Sequence, residues 1–130
     1  MFRRLLTLML AVSAAHIPGR AQHMNEKDSP CANVLVTADL SRCLLNARDS
    51  ADAKLDHVYN KIRDKLETAD AQCLVAAERL WIQYREANCS AERELYAGGT
   101  ASPPAQLACL EAMTRARTKE LEIMYVVKMK

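Results

Sequence analysis

From Ser41 onward, apolar side chains return every three or four positions: Leu44, Ala47, Ala51, Leu55, Val58, Tyr59, Ile62 and Leu66. Charged residues (Arg48, Asp49, Asp52, Lys54, Asp56, Lys61, Arg63 and Asp64) fill most of the positions between. This period marks one face of an amphipathic helix, with Ser41 as its N-cap. Leu74, Ala77, Leu80, Trp81, Tyr84, Asn88 and Leu95 predict a second helix. Leu107, Leu110, Met113, Leu121, Met124 and Tyr125 predict a third. Ala32-Asn33-Val34-Leu35-Val36 is the longest alternating run, and it is short enough to be a helical turn instead. The pattern therefore predicts an all-α domain of about three helices.

The breaks between the helices differ in clarity. Ala97-Gly98-Gly99-Thr100-Ala101-Ser102-Pro103-Pro104 is a loop, with Ser102 placed to cap the third helix and Pro103 to open it. Glu67-Thr68-Ala69-Asp70 contains neither Gly nor Pro. A turn is placed there because a single helix from Ser41 to Leu95 is too long for an ordinary globular domain. Thr68 or Asp70 would cap the second helix, and a kinked continuous helix is the alternative.

The N-terminal segment changes the picture. Arg3-Arg4, an apolar run from Leu5 to Val12, and small residues up to Ala21 have the layout of a secretory signal peptide over 1–21. The apolar run is about ten residues, against the roughly 20 needed to span a bilayer. No stable membrane anchor is expected, and the protein should be periplasmic or secreted. The whole chain carries 18 basic and 16 acidic residues; cleavage after Ala21 leaves 15 against 16, a net charge of −1. So slight a charge offers no field for nucleic acid. Residues 22–30 are polar and unpatterned and predict a flexible tail, leaving 31–130 as a single helical domain.

Export also decides how the five cysteines are read, since an oxidising compartment favours disulfides. Cys89 and Cys109 flank the Gly-Gly to Pro-Pro loop, so a bridge between them would close a helical hairpin. Cys31 and Cys43 bracket the entry to the first helix and would pin the N-terminal segment onto it. Cys73 is left as the free thiol. Its position on the apolar face makes it a small buried hydrophobe; an intermolecular disulfide is the sharper alternative.

Catalytic chemistry finds little support. The chain has no Gly-x-Ser-x-Gly, no phosphate loop and no Cys-x-x-Cys, and His23 and His57 stand far apart. No metal, cofactor or catalytic residue is expected, because acid pairs such as Asp49 with Asp52 fall on a charged helical face. Asp52 and Arg85 each lie at the edge of an apolar face on different helices. A structural ion pair between them is expected, since a guanidinium forks onto a carboxylate. Partner binding by the same residues is the alternative. Trp81 and Tyr84 are read as the main aromatic mass of the core.

The set Cys43-Leu44, Ala51-Asp52-x-x-Leu55, Tyr59, Leu66, Ala77, Trp81-x-x-Tyr84-Arg85-x-x-x-Cys89, Gly98-Gly99, Cys109-Leu110 and Thr114-x-x-Arg117-x-x-x-Leu121 resembles the LprI-type lysozyme inhibitor N-terminal domain family. The resemblance covers roughly residues 31 to 125. It departs at Asp56, at Glu78 and at Cys73, which is an addition. It implies a small exported bacterial helical domain that inhibits lysozyme-type muramidases by binding a protein partner. On that reading, Gly98, Gly99, Thr100, Ala101 and Ser102 are the candidate partner-binding loop that would plug the sugar-binding cleft; a plain αα-hairpin turn is the alternative. The competing reading is a cell-envelope interaction module, an adaptor or immunity-type partner, without lysozyme activity.

Overall fold

The computed structural model describes residues 23–130, so the expected signal segment lies outside the described residues. A 3-10 turn at His23–Asn25 precedes three long helices: α1 (Thr37–Arg63), α2 (Thr68–Glu94) and α3 (Ser102–Met124). A last helical turn, α4 (Val126–Met129), follows a break at Tyr125, where φ is −108° and ψ 17°. No strand occurs among the described residues, and none of their helices is long and apolar enough to cross a membrane. The protein is all-α.

α3 is the central element. Leu44 of α1 packs near Ala108, and Ile62 near Leu121, so α1 and α3 run parallel. α2 returns antiparallel to both. α1 and α2 each lean on α3 far more than on each other. The α1–α3 seam is apolar: Leu55, Val58, Ile62 and Leu121 are buried together with Leu74. A second apolar cluster joins Cys31, Leu44 and Ala108, and a third joins Cys89, Cys109 and Leu110.

Several local expectations need correction. α1 begins at Thr37, one turn before Ser41; Val36 is extended and ends the preceding turn, and the Ser41 hydroxyl donates back to the Thr37 carbonyl instead of capping. A break before α2 exists but falls at 64–67, about three residues earlier than expected: extended Glu67 opens the helix, and Thr68 to Asp70 already belong to it. Pro103 and Pro104 occupy the first turn of α3, where a missing donor costs nothing. Residues 23–30 are not a loose tail: Ser29 is buried, and Arg115 donates to Asp28 (2.8 Å) and Glu26 (3.4 Å). That guanidinium holds the Asp28 carboxyl below its ordinary range.

The largest correction concerns α2. Its buried side is Leu74, Glu78, Cys89 and Glu92, with Trp81 and Arg85 partly buried. Leu80 is 66 % exposed, Tyr84 61 % and Leu95 71 %, so Trp81 packs against the core but Tyr84 does not. Cys73 is exposed rather than buried. The helix is rotated so that Glu78 and Arg85 face α3 alongside Leu74 and Cys89, leaving Leu80 and Tyr84 outside.

Candidate functional site

Where α2 meets α3, a lattice of polar side chains sits between two apolar clusters, one at Leu74 and Leu121 and one at Cys89, Cys109 and Leu110. Arg85 Nη1 donates to Asp52 Oδ1 and to Thr114 Oγ1, both at 2.8 Å, and Thr114 Oγ1 donates to Asp52 Oδ1 at 3.2 Å. One residue from each long helix thus meets at a single point. Arg85 Nη2 reaches out to Glu86 at 3.0 Å, while its Nε is buried without an acceptor. One helical turn along, Arg117 grips buried Glu78, its Nε and Nη2 each 3.0 Å from Oε2. Arg117 Nη1 donates to Glu120 at 2.7 Å. Burial works against the Arg117 cation, but the hydrogen bonds to Glu120 and Glu78 outweigh it and hold the guanidinium above its usual range. Trp81 joins the two halves: the guanidinium carbons of Arg85 and Arg117 lie 5.2 Å and 5.8 Å from its ring centroid.

Above this lattice, α1 and α2 separate into an open groove of about 440 Å³, lined by Asp52, Leu55, Asp56, Tyr59, Val75, Glu78, Arg79, Trp81, Ile82 and Arg85. The fixed ion pairs form one wall and the exposed side chains of Val75 and Ile82 another.

The family model for lysozyme inhibitor LprI matches residues 29–121. The chain belongs to the LprI lysozyme inhibitor family. The matched span holds every member of the polar lattice and both disulfides, and ends before α4. A relative in Rhizobium meliloti (strain 1021), the uncharacterized protein R02472, is 28 % identical over 130 residues, covering 90 % of this chain and 89 % of its own. No solved structure matches the chain.

In this LprI-family chain, Cys31 bonds to Cys43 and Cys89 to Cys109. The second bridge closes the base of the α2–α3 hairpin. Its loop is a chain of tight turns: Gly99 N–H donates to the Tyr96 carbonyl at 3.0 Å, Ser102 N–H to Gly99 at 3.3 Å, and the Ser102 hydroxyl to Arg93 at 3.4 Å. Gly98 sits at φ +80°, a conformation that favours glycine. Gly98, Gly99 and Thr100 are exposed, and Ala101 and Ser102 partly so. The groove and the loop do not meet: the loop caps the α2–α3 end, while the Asp52–Arg85 pair sits mid-helix.

His23, Glu92 and Cys109 offer ligand atoms within 4.8 Å of one another. Cys109 is consumed in a disulfide and provides no thiolate, and His23 instead holds the buried Glu92 carboxylate through its ring and its backbone N–H. That set works as a clamp on the N-terminal segment rather than as a metal centre. The lattice contacts of Thr114 and Arg117 escape sequence reasoning; Thr114-x-x-Arg117 in the family pattern is the signal that marks them.

Proposed function

We infer that this chain is an exported inhibitor of lysozyme-type muramidases, acting after removal of residues 1–21, and that the Gly98 to Ser102 loop engages the enzyme. Family membership supports the activity. The observation that carries the choice of surface is the bracing of the loop: an exposed, glycine-containing turn held at its base by Cys89–Cys109 and internally by its own hydrogen bonds. Such a loop loses little conformational freedom on binding. The Gly99 and Ser102 N–H groups are spent inside the loop; the Gly98, Thr100 and Ala101 N–H groups and the Thr100 hydroxyl would donate to the carboxylates of a sugar-binding cleft. No group in the loop does covalent chemistry, so the action is occlusion.

The test is a muramidase turbidity assay with the oxidised mature chain. Wild type should slow clearing of a cell-wall suspension, and replacing Thr100-Ala101 with two glycines should weaken inhibition while leaving the melting temperature nearly unchanged. A loop variant that inhibits like wild type would move the enzyme-binding surface to a helix face. The second reading, an envelope interaction module without lysozyme activity, draws on the open groove between α1 and α2. It gains if wild type leaves several lysozyme types unaffected.

A further inference from the structure

α2 carries two seams whose chemistry is reversed from that of an ordinary surface helix. The seam toward α3 includes Glu78, Arg85 and Glu92. About 100° round the helix from that seam stand Cys73, Ala77, Leu80, Tyr84, Ala87 and Ala91, every one exposed. They follow one another in alternating steps of four and three, the 3.5-residue repeat of a coiled-coil seam. The flanking positions Ala76, Gln83 and Ser90 are exposed and uncharged as well. From Cys73 to Ala91, one side of the helix therefore presents apolar and neutral side chains to water. A continuous strip of this kind marks an interaction surface.

We propose that this strip docks a second copy of the chain, α2 against α2 in antiparallel orientation. An isologous contact must be complementary to itself. The strip meets that condition about its midpoint, Ile82: Leu80 comes opposite Tyr84 of the partner subunit, Ala77 opposite Ala87 of the partner subunit, and Cys73 opposite Ala91 of the partner subunit. Bulky pairs fill the centre, and small pairs on either side let the helices approach. On the exposed flank Ala76, Gln83 and Ser90 carry no charge, and the other flank, Leu74, Trp81 and Asn88, turns to the core, so between Cys73 and Ala91 the contact is spared like-charge repulsion. Antiparallel packing also sets opposite helix ends side by side. A single helix pair lies at the low end of stable interface sizes, so the dimer is a reversible one. It leaves the two Gly98 loops free at opposite ends of the assembly, and it does not depend on the muramidase reading.

Sedimentation velocity on the oxidised chain, from micromolar to millimolar concentration, tests this. The mass should double with rising concentration, and a Cys73→Ser variant should behave identically. Leu80→Glu alone and Tyr84→Lys alone should each hold the chain monomeric with unchanged melting temperature, since both positions are exposed. Combining the two should restore the dimer, because in the antiparallel register the introduced carboxylate faces the introduced ammonium across the interface. Four results overturn the proposal: a wild-type monomer at every concentration, single variants that dimerise like wild type, a combined variant that stays monomeric, or a dimer held chiefly by a Cys73–Cys73 bridge, which this register cannot form because it sets the two Cys73 residues at opposite ends of the contact.

Discussion

The two sides of α3 are built by different physics. Toward α1 it offers Leu121 and Ala108 to Leu44, Leu55, Val58 and Ile62, a seam whose stability comes from removing hydrocarbon from water. Toward α2 it offers Thr114 and Arg117 to Arg85 and Glu78, beside a disulfide. Buried charges give little net stability when paired and cost heavily when one partner is lost. The α2 interface is therefore demanding about geometry and modest in strength. α2 spends Leu74, Trp81 and Cys89 on the core and keeps Leu80, Tyr84 and Leu95 for an outer surface.

That contrast is most sharply broken at Arg117. Arg117→Ala strands Glu78, which is 7 % exposed, and should cost about 3–5 kcal/mol in chemical denaturation. Leu121→Ala on the other side should cost about 2–5 kcal/mol by leaving a cavity. The two differ in what repairs them. Pairing Glu78→Leu with Arg117→Met should recover most of the loss, whereas no polar replacement rescues Leu121. If Arg117→Ala costs under about 1 kcal/mol, as exposed ion pairs do, the polar lattice is not what holds α2.

Next in size is the bridge that shares the α2 side. Removing Cys89 and Cys109 together opens a loop of 20 residues and should cost about 3 kcal/mol, read as a fall in denaturation midpoint. It should also weaken muramidase inhibition, since the bridge positions the loop. The Asp52–Arg85 pair is smaller, because Asp52 keeps 34 % of its side chain exposed. A double-mutant cycle of Asp52→Asn with Arg85→Ala should show coupling of about 1–2 kcal/mol, and strict additivity would mean that the contact carries no energy.

The sequence reveals the helix count, the existence of a break between α1 and α2 and the glycine–proline loop because each leaves a local signal: a period, an implausible length, a breaker pair; with no Gly or Pro to mark it, the first break is misplaced by about three residues. The face that α2 buries leaves none. Its periodicity is satisfied twice, by Cys73, Ala77, Leu80 and Tyr84 and by Leu74, Glu78, Trp81 and Arg85, one residue apart. Hydropathy draws on both, taking Leu74 and Trp81 together with Ala77, Leu80 and Tyr84; the ion pairs across to α3 select the second. Asp52 and Arg85 stand out by their positions at the edges of apolar faces. Thr114 and Arg117 do not, since neither lies beside an apolar position that marks it and their partners on other helices are 29 to 62 residues away. The docking of residues 23–30 is hidden for the same reason, as Asp28 and Arg115 are 87 residues apart.

Two smaller effects complete the series. Gly98→Ala places a side chain at φ +80° and should cost about 1 kcal/mol, visible as a small drop in melting temperature. The exposed Asp28 contact with Arg115 gives a pH signature. Its folded-state pKa lies below the ordinary 3.8, so its contribution is present above 3.8 and is lost as pH falls through the lower folded value. The small stability gap between wild type and Asp28→Asn should be constant at neutral pH and close at the acid end. A gap that closes at neutral pH would assign the effect to another group.

The account's functional claim rests on which surface meets the enzyme, and amide hydrogen exchange of the oxidised chain with and without a c-type lysozyme reads that surface directly. Slowed exchange at Gly98, Gly99, Thr100 and Ala101, with the groove-lining stretch 75–82 of α2 unchanged, is the predicted result. Protection along that groove instead, or no protection anywhere at lysozyme concentrations that saturate inhibition, would contradict it.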